Sequence, residues 1–415
     1  MHVFKFGGAS VKDALGVRNL EQVLRKVGFE NTLIVVSAMG KTTNALETVV
    51  GNYFHNKSEL QSSLRHVKTY HDAILVDLFE ESHPVFKKTA FLFEELKSFF
   101  DRNKSPDYNF VYDQVIGYGE FVSTVIINEY LNLVGITSNW LDVRECIKTD
   151  NYYRRANVDW EATQMAITSK FNTSVLNLTQ GFLGSDANNF TTTLGREGSD
   201  YTAAIFAYCL NAANVTIWKD VPGVLNADPR YFENAQLLNR ISYREAIELA
   251  FYGASVIHPK TLQPLQQKEI PLFVKSFNHP EDPGTLVAKG IGIEPMIPCF
   301  IVKKDQVLIS LSSLDFSYIV EENISEIFRL LHLYKMKVAV IQNSAISFSV
   351  CIENSYNNLP DLLHHLKAKF KVTCHENVSL YTIRHYNLEA IAQLEENKDV
   401  LLKQLTQETM QMVTQ

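Results

Sequence analysis

The sequence lacks several features that mark particular classes of protein. No apolar run approaches the roughly 18 residues that cross a bilayer, so no membrane span is expected. No Lys/Arg-rich stripe interrupts a chain of formal net charge -7, which argues against a nucleic-acid partner. The five cysteines are scattered without a C-x-x-C pair, which fits reduced thiols rather than disulfides or a zinc site. No signal peptide precedes the first strand, so we expect a cytoplasmic protein.

Familiar catalytic and nucleotide-binding motifs are missing as well. The first Gly-Gly turn has neither the G-x-G-x-x-G spacing of a dinucleotide fold nor the G-x-x-x-x-G-K-[ST] of a P-loop. The chain shows no Ser-His-Asp order and no cluster of metal ligands, and we expect no resident metal. None of these motifs therefore competes with the segments described below.

What is present predicts two domains, an α/β domain followed by a smaller α+β domain. With 415 residues, 46% hydrophobic and 20% charged, the chain has the balance of an ordinary globular protein and is longer than one domain usually is. Near-continuous apolar runs predict strands covered by helices on both faces of a mainly parallel sheet, at 32–38, 139–143, 175–181, 215–221 and 271–277. The long stretch 44–133 is predicted to be largely helical.

The pattern changes after Gly292, where we place the domain boundary, giving domains 1–292 and 293–415. A strand at 307–313, helices around 324–331 and 359–370, and strands at 338–342, 346–352 and from 372 make the β-α-β-β-α-β order of a ferredoxin-like unit. A further strand is predicted at 378–383, followed by one or two helices over 388–413.

The first strand ends in a turn suited to a transferring phosphoryl group. The segment reads Lys5-Phe6-Gly7-Gly8-Ala9-Ser10-Val11 and precedes a helical pattern at about 13–27. The two glycines let the backbone approach an anion, and the helix N-terminus directs free amides towards it. Lys5 adds a mobile positive charge.

Five further segments carry candidate polar groups at strand or helix ends. Hydroxyls follow the second strand in Ser37-Ala38-Met39-Gly40-Lys41-Thr42-Thr43-Asn44, at the edge where α/β sheets bind ligands. The others are Gly117-Tyr118-Gly119-Glu120, Leu194-Gly195-Arg196-Glu197-Gly198-Ser199-Asp200, Trp218-Lys219-Asp220-Val221-Pro222-Gly223 with Asp228-Pro229-Arg230, and Tyr252-Gly253-Ala254-Ser255-Val256-Ile257-His258-Pro259-Lys260.

Each segment also has a purely structural interpretation. Glu120 is equally well explained as a helix-start acid favoured by the helix dipole. Ser199 or Asp200 could be a simple N-cap, and without Arg196 beside them that interpretation would be preferred. Arg196 changes the preference because its side chain suits a carboxylate or phosphate. His258 precedes a proline and is interpreted as structural.

Taken together, these motifs closely resemble those of the aspartate kinases of the amino-acid kinase family. The family's K-F-G-G-T-S-V is matched from Lys5 to Val11 apart from Ala9, and its G-R-G-G-S-D-Y-T-A from Gly195 to Ala203 apart from Glu197. Its W-x-D-V-P-G…D-P-R and F-G-A-K-V-L-H-P segments match 218–230 and 252–259. The resemblance implies the amino-acid kinase fold followed by a smaller ACT-like domain, with one complete ACT unit and a truncated second.

The resemblance implies transfer of the γ-phosphoryl of Mg-ATP to the β-carboxylate of L-aspartate, the first step towards lysine, threonine and methionine. That carboxylate has a pKa of about 3.9 and needs no general base. Bringing it to a polyanion is the difficulty, because two unit charges about 4 Å apart interact by roughly 4 kcal/mol at an effective dielectric near 20. Positioning and positive charge should therefore supply the catalysis.

Residue roles follow from the same resemblance. Lys5 and Asp200 are the expected catalytic pair, and the substrate-binding set is Ser37, Thr43, Glu120, Arg196 and Ser199, with Arg196 on the α-carboxylate and Glu120 on the ammonium. The nucleotide-binding set is Gly7, Gly8, Ser10, Lys219, Asp220, Arg230 and Lys260.

Departures from the family pattern affect the nucleotide and effector sites. Ser255 stands where many members have lysine, a charge that Lys260 would have to replace, and Leu225 stands where some have tyrosine. An effector groove for lysine or threonine is predicted near Ser312, Asp315, Gln342 and Asn343. A purely dimerising role for the ACT-like domain in a homodimer is an equal alternative.

Two other functions stay open. One is another amino-acid kinase, acting on glutamate or acetylglutamate. The other is a non-catalytic amino-acid sensor, which would not need the phosphoryl-transfer lysine.

Overall fold

A computed structural model describes residues 1–171, 174–254, 257–315 and 317–415. The chain divides into two units, one made of Met1–Val224, Leu237–Ile247 and Val256–Ile293. The other is made of Leu225–Gln236, Glu248–Ser255 and Glu294–Gln415. The second unit thus takes in two short segments from the earlier part of the chain, and the domain boundary at residue 292 stays a prediction.

Strands and helices alternate through the part of the chain before residue 294. The strands are β1 (His2–Phe6), β2 (Thr32–Val36), β3 (Ser138–Leu141), β4 (Leu176–Gln180), β5 (Leu183–Ser185), β6 (Thr191–Thr193), β7 (Asn214–Lys219), β8 (Arg240–Ser242), β9 (Leu272–Ser276) and β10 (Thr285–Ala288). The helices are α1 (Ala14–Val27), α2 (Thr42–His55), α3 (Leu60–Leu78), α4 (Val85–Arg102), α5 (Tyr108–Ile116), α6 (Tyr118–Leu133), α7 (Val143–Cys146), α8 (Trp160–Lys170), α9 (Gly198–Cys209), α10 (Tyr243–Tyr252) and α11 (Pro259–Gln267).

An eight-stranded, mainly parallel sheet organises the first unit. Its strand order is β3-β4-β2-β1-β7-β9-β10-β8, and every neighbouring pair is parallel except β9 with β10. Within it, β1 lies between β2 and β7, with Phe6 opposite both Val36 and Trp218. The chain order reverses beside β1, and such switch points leave a crevice at the carboxyl ends of the strands.

Burial explains why these segments are strands. All five residues of β2 are buried, as are four of five in β1, because helices cover both faces of the sheet. The five strands predicted from apolar runs are all present, within two residues of the predicted bounds. The helical stretch predicted over 44–133 is confirmed as α2 to α6.

The second unit contains a six-stranded antiparallel sheet flanked by helices. Its elements are β11 (Cys299–Ser312), α12 (Glu321–Leu333), β12 (Lys337–Asn343), β13 (Ser347–Glu353), α13 (Leu359–Lys367), β14 (Lys371–Arg384), α14 (Leu388–Glu395), β15 (Val400–Leu405) and β16 (Thr409–Thr414). The order β12-β13-β11-β14 with α12 and α13 confirms the predicted β-α-β-β-α-β unit.

The predicted helical tail is wrong beyond Glu395. Residues 400–405 and 409–414 form the hairpin of β15 and β16, which pairs with the second half of β14. Leu402 and Val413 are buried in a cluster with Leu380, so long-range pairing outweighs the local helical pattern. The sequence also missed that β11 begins at Cys299, and it missed the β5–β6 hairpin. None of the helices in the described ranges is long and apolar enough to cross a membrane.

Candidate active site

The carboxyl ends of four neighbouring parallel strands bring the predicted site together. Lys5 is the penultimate residue of β1, Ser37 follows β2, Gly181 follows β4, and Lys219 ends β7. The amide of Ser37 donates to the Phe6 carbonyl (3.1 Å), and that of Gly181 donates to Val36 (2.9 Å). These bonds hold the ends of β1, β2 and β4 in register.

A buried ion-pair cluster lies at this edge. The Lys5 Nζ is 2.6 Å from Asp200 Oδ1, and the Lys219 Nζ is 3.7 Å from Asp200 Oδ2. Asp200 stands in the first turn of α9 and is only 3% exposed. Burial favours a higher pKa for this carboxyl, but the ammonium groups of Lys5 and Lys219 outweigh it and hold the pKa below its ordinary value. The cluster therefore carries two cations against one carboxylate.

The glycine turn is packed rather than open. Gly8 to Val11 form a 3₁₀ turn in which the Ser10 hydroxyl donates to the Gly7 carbonyl (2.6 Å). A Cβ on Gly7 would stand 3.3 Å from the Lys5 Nζ, so this glycine leaves room for the ammonium. A Cβ on Gly8 would stand 2.7 Å from the carbonyl oxygen of Ala38 and 2.9 Å from that of Gly40. Gly8 is therefore needed for the close approach of the two loops.

Replacing Gly8 by alanine should lower the free energy of unfolding by about 1–3 kcal/mol, since two backbone carbonyls must shift. The control is Gly51→Ala in α2, where a Cβ meets nothing within 4 Å. That change should raise stability by up to about 1 kcal/mol, because alanine is the better helix former. Urea denaturation of both variants checks the pair, and equal shifts in one direction would contradict this account of Gly8.

Glu120 reaches the same edge from the first turn of α6. It is 3% exposed, and its Oε1 accepts a hydrogen bond from the amide of Ala38 (3.3 Å). Its Oε2 is buried without a hydrogen-bond partner among the described residues. Burial raises the pKa of Glu120 to about 8, against the opposing effects of the Ala38 amide and the Lys5 charge. A buried carboxyl oxygen without a hydrogen-bond partner suits an incoming cationic group.

Ser37 and Thr43 lie on the loop between β2 and α2 and on the helix that follows it. The Ser37 carbonyl accepts from the hydroxyl of Ser123 on α6 (2.8 Å), which ties this loop to the helix that carries Glu120. Thr43 is half-buried in the first turn of α2. Both side chains are thus held by elements that meet at the sheet edge.

The segment before α9 supplies the arginine. Arg196 is exposed, and its guanidinium makes no hydrogen bond or ion pair within the described part of the chain. Ser199 is buried, and a Cβ on Gly181 would collide with it. Gly181 therefore allows the end of β4 to pack against the start of α9.

Glu197 is a site residue whose role sequence reasoning did not assign. It is the N-terminal cap of α9 with φ of 54°, a left-handed conformation that favours glycine, and glycine is the residue of the family motif at this position. Its Oε2 is buried without a hydrogen-bond partner among the described residues. Burial and the Asp200 carboxylate raise its pKa. In the sequence, the feature that could have drawn attention to Glu197 was its departure from the glycine of the family motif.

The remaining nucleotide candidates are not brought into contact with this cluster by any described hydrogen bond or ion pair. Asp220 is exposed after β7, and Lys260 is half-buried in the first turn of α11. Arg230 belongs to the second unit with Leu225, and its guanidinium is 2.6 Å from Asp228. Ser255 lies outside the described residues. The nucleotide roles of these residues stay predictions.

Within the second unit, the four effector candidates lie near one end of its sheet. Ser312 ends β11 opposite Ser347, and Gln342 and Asn343 end β12. Asp315 accepts from the amide of Ser317 (3.1 Å), and the loop joins the neighbouring turn through the Ile319 amide and the Ala345 carbonyl (2.9 Å). The loop and the turn therefore form one surface, whose ligand stays a prediction.

Fold and site together define a class of enzyme. Lys5 and Lys219 place two ammonium groups beside Asp200 at the carboxyl ends of the parallel strands. Such an arrangement suits the transfer of a phosphoryl group to an acceptor that is already ionised. Within the described residues no group of three or more His, Cys, Asp or Glu side chains could hold a metal ion.

Comparison with known proteins identifies the family. Residues 1–276 match the model of the amino acid kinase family. The chain is 32% identical to lysine-sensitive aspartokinase 3 of Escherichia coli over 344 residues, which cover 82% of this chain and 75% of that protein. It is 33% identical to chloroplastic aspartokinase 1 of Arabidopsis thaliana over 327 residues, covering 74% of this chain and 55% of that protein. The chain belongs to the amino acid kinase family and, within it, to the aspartokinases.

Solved structures agree with this placement. E. coli aspartokinase III in complex with lysine and aspartate matches with a TM-score of 0.83 at 28% identity, covering all of this chain and 95% of that one. The same enzyme with aspartate and ADP matches with a TM-score of 0.83 at 27% identity, covering 96% of that chain. Both the parallel-sheet fold and the C-terminal antiparallel sheet are thus those of aspartokinases.

Proposed function

We propose that this aspartokinase transfers the γ-phosphoryl group of ATP, bound with Mg²⁺, to the β-carboxylate of L-aspartate, giving 4-phospho-L-aspartate. The product would enter the synthesis of lysine, threonine and methionine. The reaction forms a bond between a carboxylate oxygen and phosphorus and breaks the bond between the γ-phosphorus and the β,γ-bridging oxygen. ADP leaves with that oxygen.

The observation that carries the proposal is the Lys5–Asp200–Lys219 cluster, in which Lys5 and Asp200 are buried, beside the unsatisfied carboxyl of Glu120. Lys5 would stabilise the transferring phosphoryl group while Asp200 holds its ammonium in place. Glu120 would take the ammonium of aspartate, and Arg196, which has no ion-pair partner within the described ranges, would take its α-carboxylate. Lys219 would face the nucleotide phosphates, and Mg²⁺ would enter as part of the nucleotide.

The test is trapping of the acyl phosphate with hydroxylamine, which gives a coloured hydroxamate. L-aspartate, L-glutamate and N-acetyl-L-glutamate are each supplied with Mg-ATP. Hydroxamate from aspartate alone is expected. Hydroxamate from one of the other acids would make the chain a different amino-acid kinase. A folded, ATP-binding preparation that yields none would favour the sensor.

The second unit is proposed to bind an amino-acid effector and to pair with a second copy of the chain. E. coli aspartokinase III was crystallised with lysine, and the loop around Asp315 beside the turn after Asn343 offers polar groups for such a ligand. Strand β12 is an edge of its sheet with Ile341 exposed, which suits pairing between sheets. We therefore propose that the protein is a cytoplasmic homodimer that lysine or threonine inhibits.

Adding lysine or threonine to the hydroxamate assay should suppress turnover. Replacing Asp315 by asparagine should weaken that suppression without changing uninhibited turnover. Light scattering of the purified chain should give twice the monomer mass of 47.2 kDa. A monomer that is insensitive to both amino acids would remove the effector and dimer proposals and leave the kinase assignment intact.

A further inference from the structure

A buried carboxylate that the proposed chemistry does not use links the segment 154–156 to β6. Asp113, on α5, is 0% exposed and accepts from three donors. The amide of Arg154 lies 3.1 Å from Oδ1 and 3.0 Å from Oδ2. The amide of Thr193 lies 2.8 Å from Oδ2, and the Thr193 hydroxyl lies 2.8 Å from Oδ1. Burial raises the pKa of Asp113 to about 6, so the group is ionised at neutral pH and accepts from all three.

These bonds lock two segments together. Arg154 has φ of 69°, a left-handed conformation that a non-glycine residue keeps only when its surroundings hold it. The amide of Ala156 donates to the Thr193 carbonyl (3.0 Å), which adds a second link to β6. Gln114, the next residue of α5, exchanges two hydrogen bonds with the backbone of Thr191 (2.8 and 3.1 Å).

Arg155 lies between the two linked residues Arg154 and Ala156. A Cβ on Gly195, which has φ of 82°, would stand 3.7 Å from the Arg155 Cγ and 3.3 Å from the Arg154 carbonyl oxygen. The base of the Arg155 side chain therefore lies beside Gly195, which precedes Arg196 in the chain.

The neighbouring guanidinium groups differ in what they contact. That of Arg154 lies over the ring of Tyr112, 4.3 Å from its centre. Those of Arg155 and Arg196 make no hydrogen bond or ion pair to any residue that the structure describes. Two arginines whose guanidinium groups have no described hydrogen bond or ion pair thus adjoin Gly195, and a carboxylate has about four lone-pair sites with which to accept from both.

We propose that Arg155 binds the α-carboxylate of aspartate together with Arg196, and that Asp113 is the positioning residue that places it there. The inference rests on the proposed function and assigns a further residue to its substrate specificity. Two guanidinium groups on the α-carboxylate would leave the β-carboxylate facing the phosphoryl donor.

The first test compares Arg155→Gln with Arg65→Gln, an exposed arginine on α3. Arg155→Gln should raise the KM for L-aspartate about 10- to 100-fold, the range for losing a hydrogen bond to a charged group. The KM for ATP should change less than twofold. Calorimetric titration of L-aspartate without ATP should show the same loss of affinity. An unchanged affinity for aspartate in a folded Arg155→Gln variant would overturn the proposal.

The second test asks whether Asp113 acts through Arg155. Asp113→Asn, or Thr193→Val if the first variant does not fold, should raise the KM for L-aspartate in the normal background. In the Arg155→Gln background the same change should add little, because the residue it positions is already gone. If the KM increase of the double variant equals the product of the two single increases, Asp113 does not act through Arg155.

Failure of this inference is distinguishable from failure of the proposed function. If the unaltered chain gives no hydroxamate from aspartate, the function itself is wrong. If the unaltered chain turns over aspartate and Arg155→Gln does so with the same KM, only the role of Arg155 falls.

Discussion

Lys5→Met is expected to lower kcat by about 10²–10³-fold or more, the scale for losing one donor that stabilises a transition state. The KM values for ATP and aspartate should change much less, because Lys219 and Arg196 remain. The hydroxamate assay under saturating substrates measures the loss. The control is Lys26→Met on the exposed side of α1, which should keep full turnover.

The structure adds a second consequence for Lys5. Its ammonium lies 2.6 Å from the buried Asp200, so its removal leaves Lys219, at 3.7 Å, as the remaining cation beside that carboxylate. Breaking a buried ion pair costs about 3–5 kcal/mol at most, and less here because Lys219 remains. Lys5→Met should therefore also melt at a lower temperature.

A double variant separates catalysis from stability. Lys5→Met with Asp200→Asn removes both charges of the pair and should recover much of the lost stability. It should not recover turnover, since the phosphoryl-transfer donor is still missing. Recovery of turnover along with stability would show that Lys5 acts by supporting the fold, and would contradict its catalytic role.

Glu120→Gln is expected to raise the KM for L-aspartate by about 10²-fold at pH 8. Removing one partner of a buried charge pair costs about 2–5 kcal/mol, and the glutamine keeps the shape of the side chain. The Oε2 of Glu120 has no hydrogen-bond partner among the described residues, so the charge is free to meet the substrate ammonium. The matched control is Glu129→Gln on the same helix, where only an ion pair with Lys88 on the surface is lost.

The pH dependence of aspartate binding should carry the signature of Glu120. Burial raises the pKa of this carboxyl to about 8, so the free enzyme holds it protonated below that pH. The substrate ammonium requires the ionised form, and binding below pH 8 must therefore release a proton. The KM for aspartate should fall by up to about tenfold per pH unit as the pH rises from 6 to 8.

Glu120→Gln should remove this slope, whereas Glu129→Gln should retain it. Calorimetry of aspartate binding in buffers of different ionisation enthalpy should detect the released proton at pH 7. A KM that is flat between pH 6 and pH 8 in the unaltered chain would contradict the assignment of Glu120 to the ammonium.

Local patterns in the chain were sufficient for much of this architecture. Continuous apolar runs predicted five of the eight strands of the mainly parallel sheet, because strands covered on both faces must be apolar throughout. The Lys5 turn and the Gly195–Asp200 segment were recognisable because their chemistry is carried by adjacent residues. The family, and with it the fold, could be proposed from those motifs and their order.

Other features depend on contacts between distant residues, which no local pattern contains. The burial that raises the pKa of Glu120 comes from packing, and its partner Ala38 is 82 positions away in the chain. The link from Asp113 to Thr193 spans 80 positions. The tail illustrates the same limit, because 400–414 became strands only by pairing with β14. Backbone pairing and desolvation arise only in the assembled sheet. Strand periodicity and turn chemistry depend on neighbouring residues in the chain, so the sequence alone shows them.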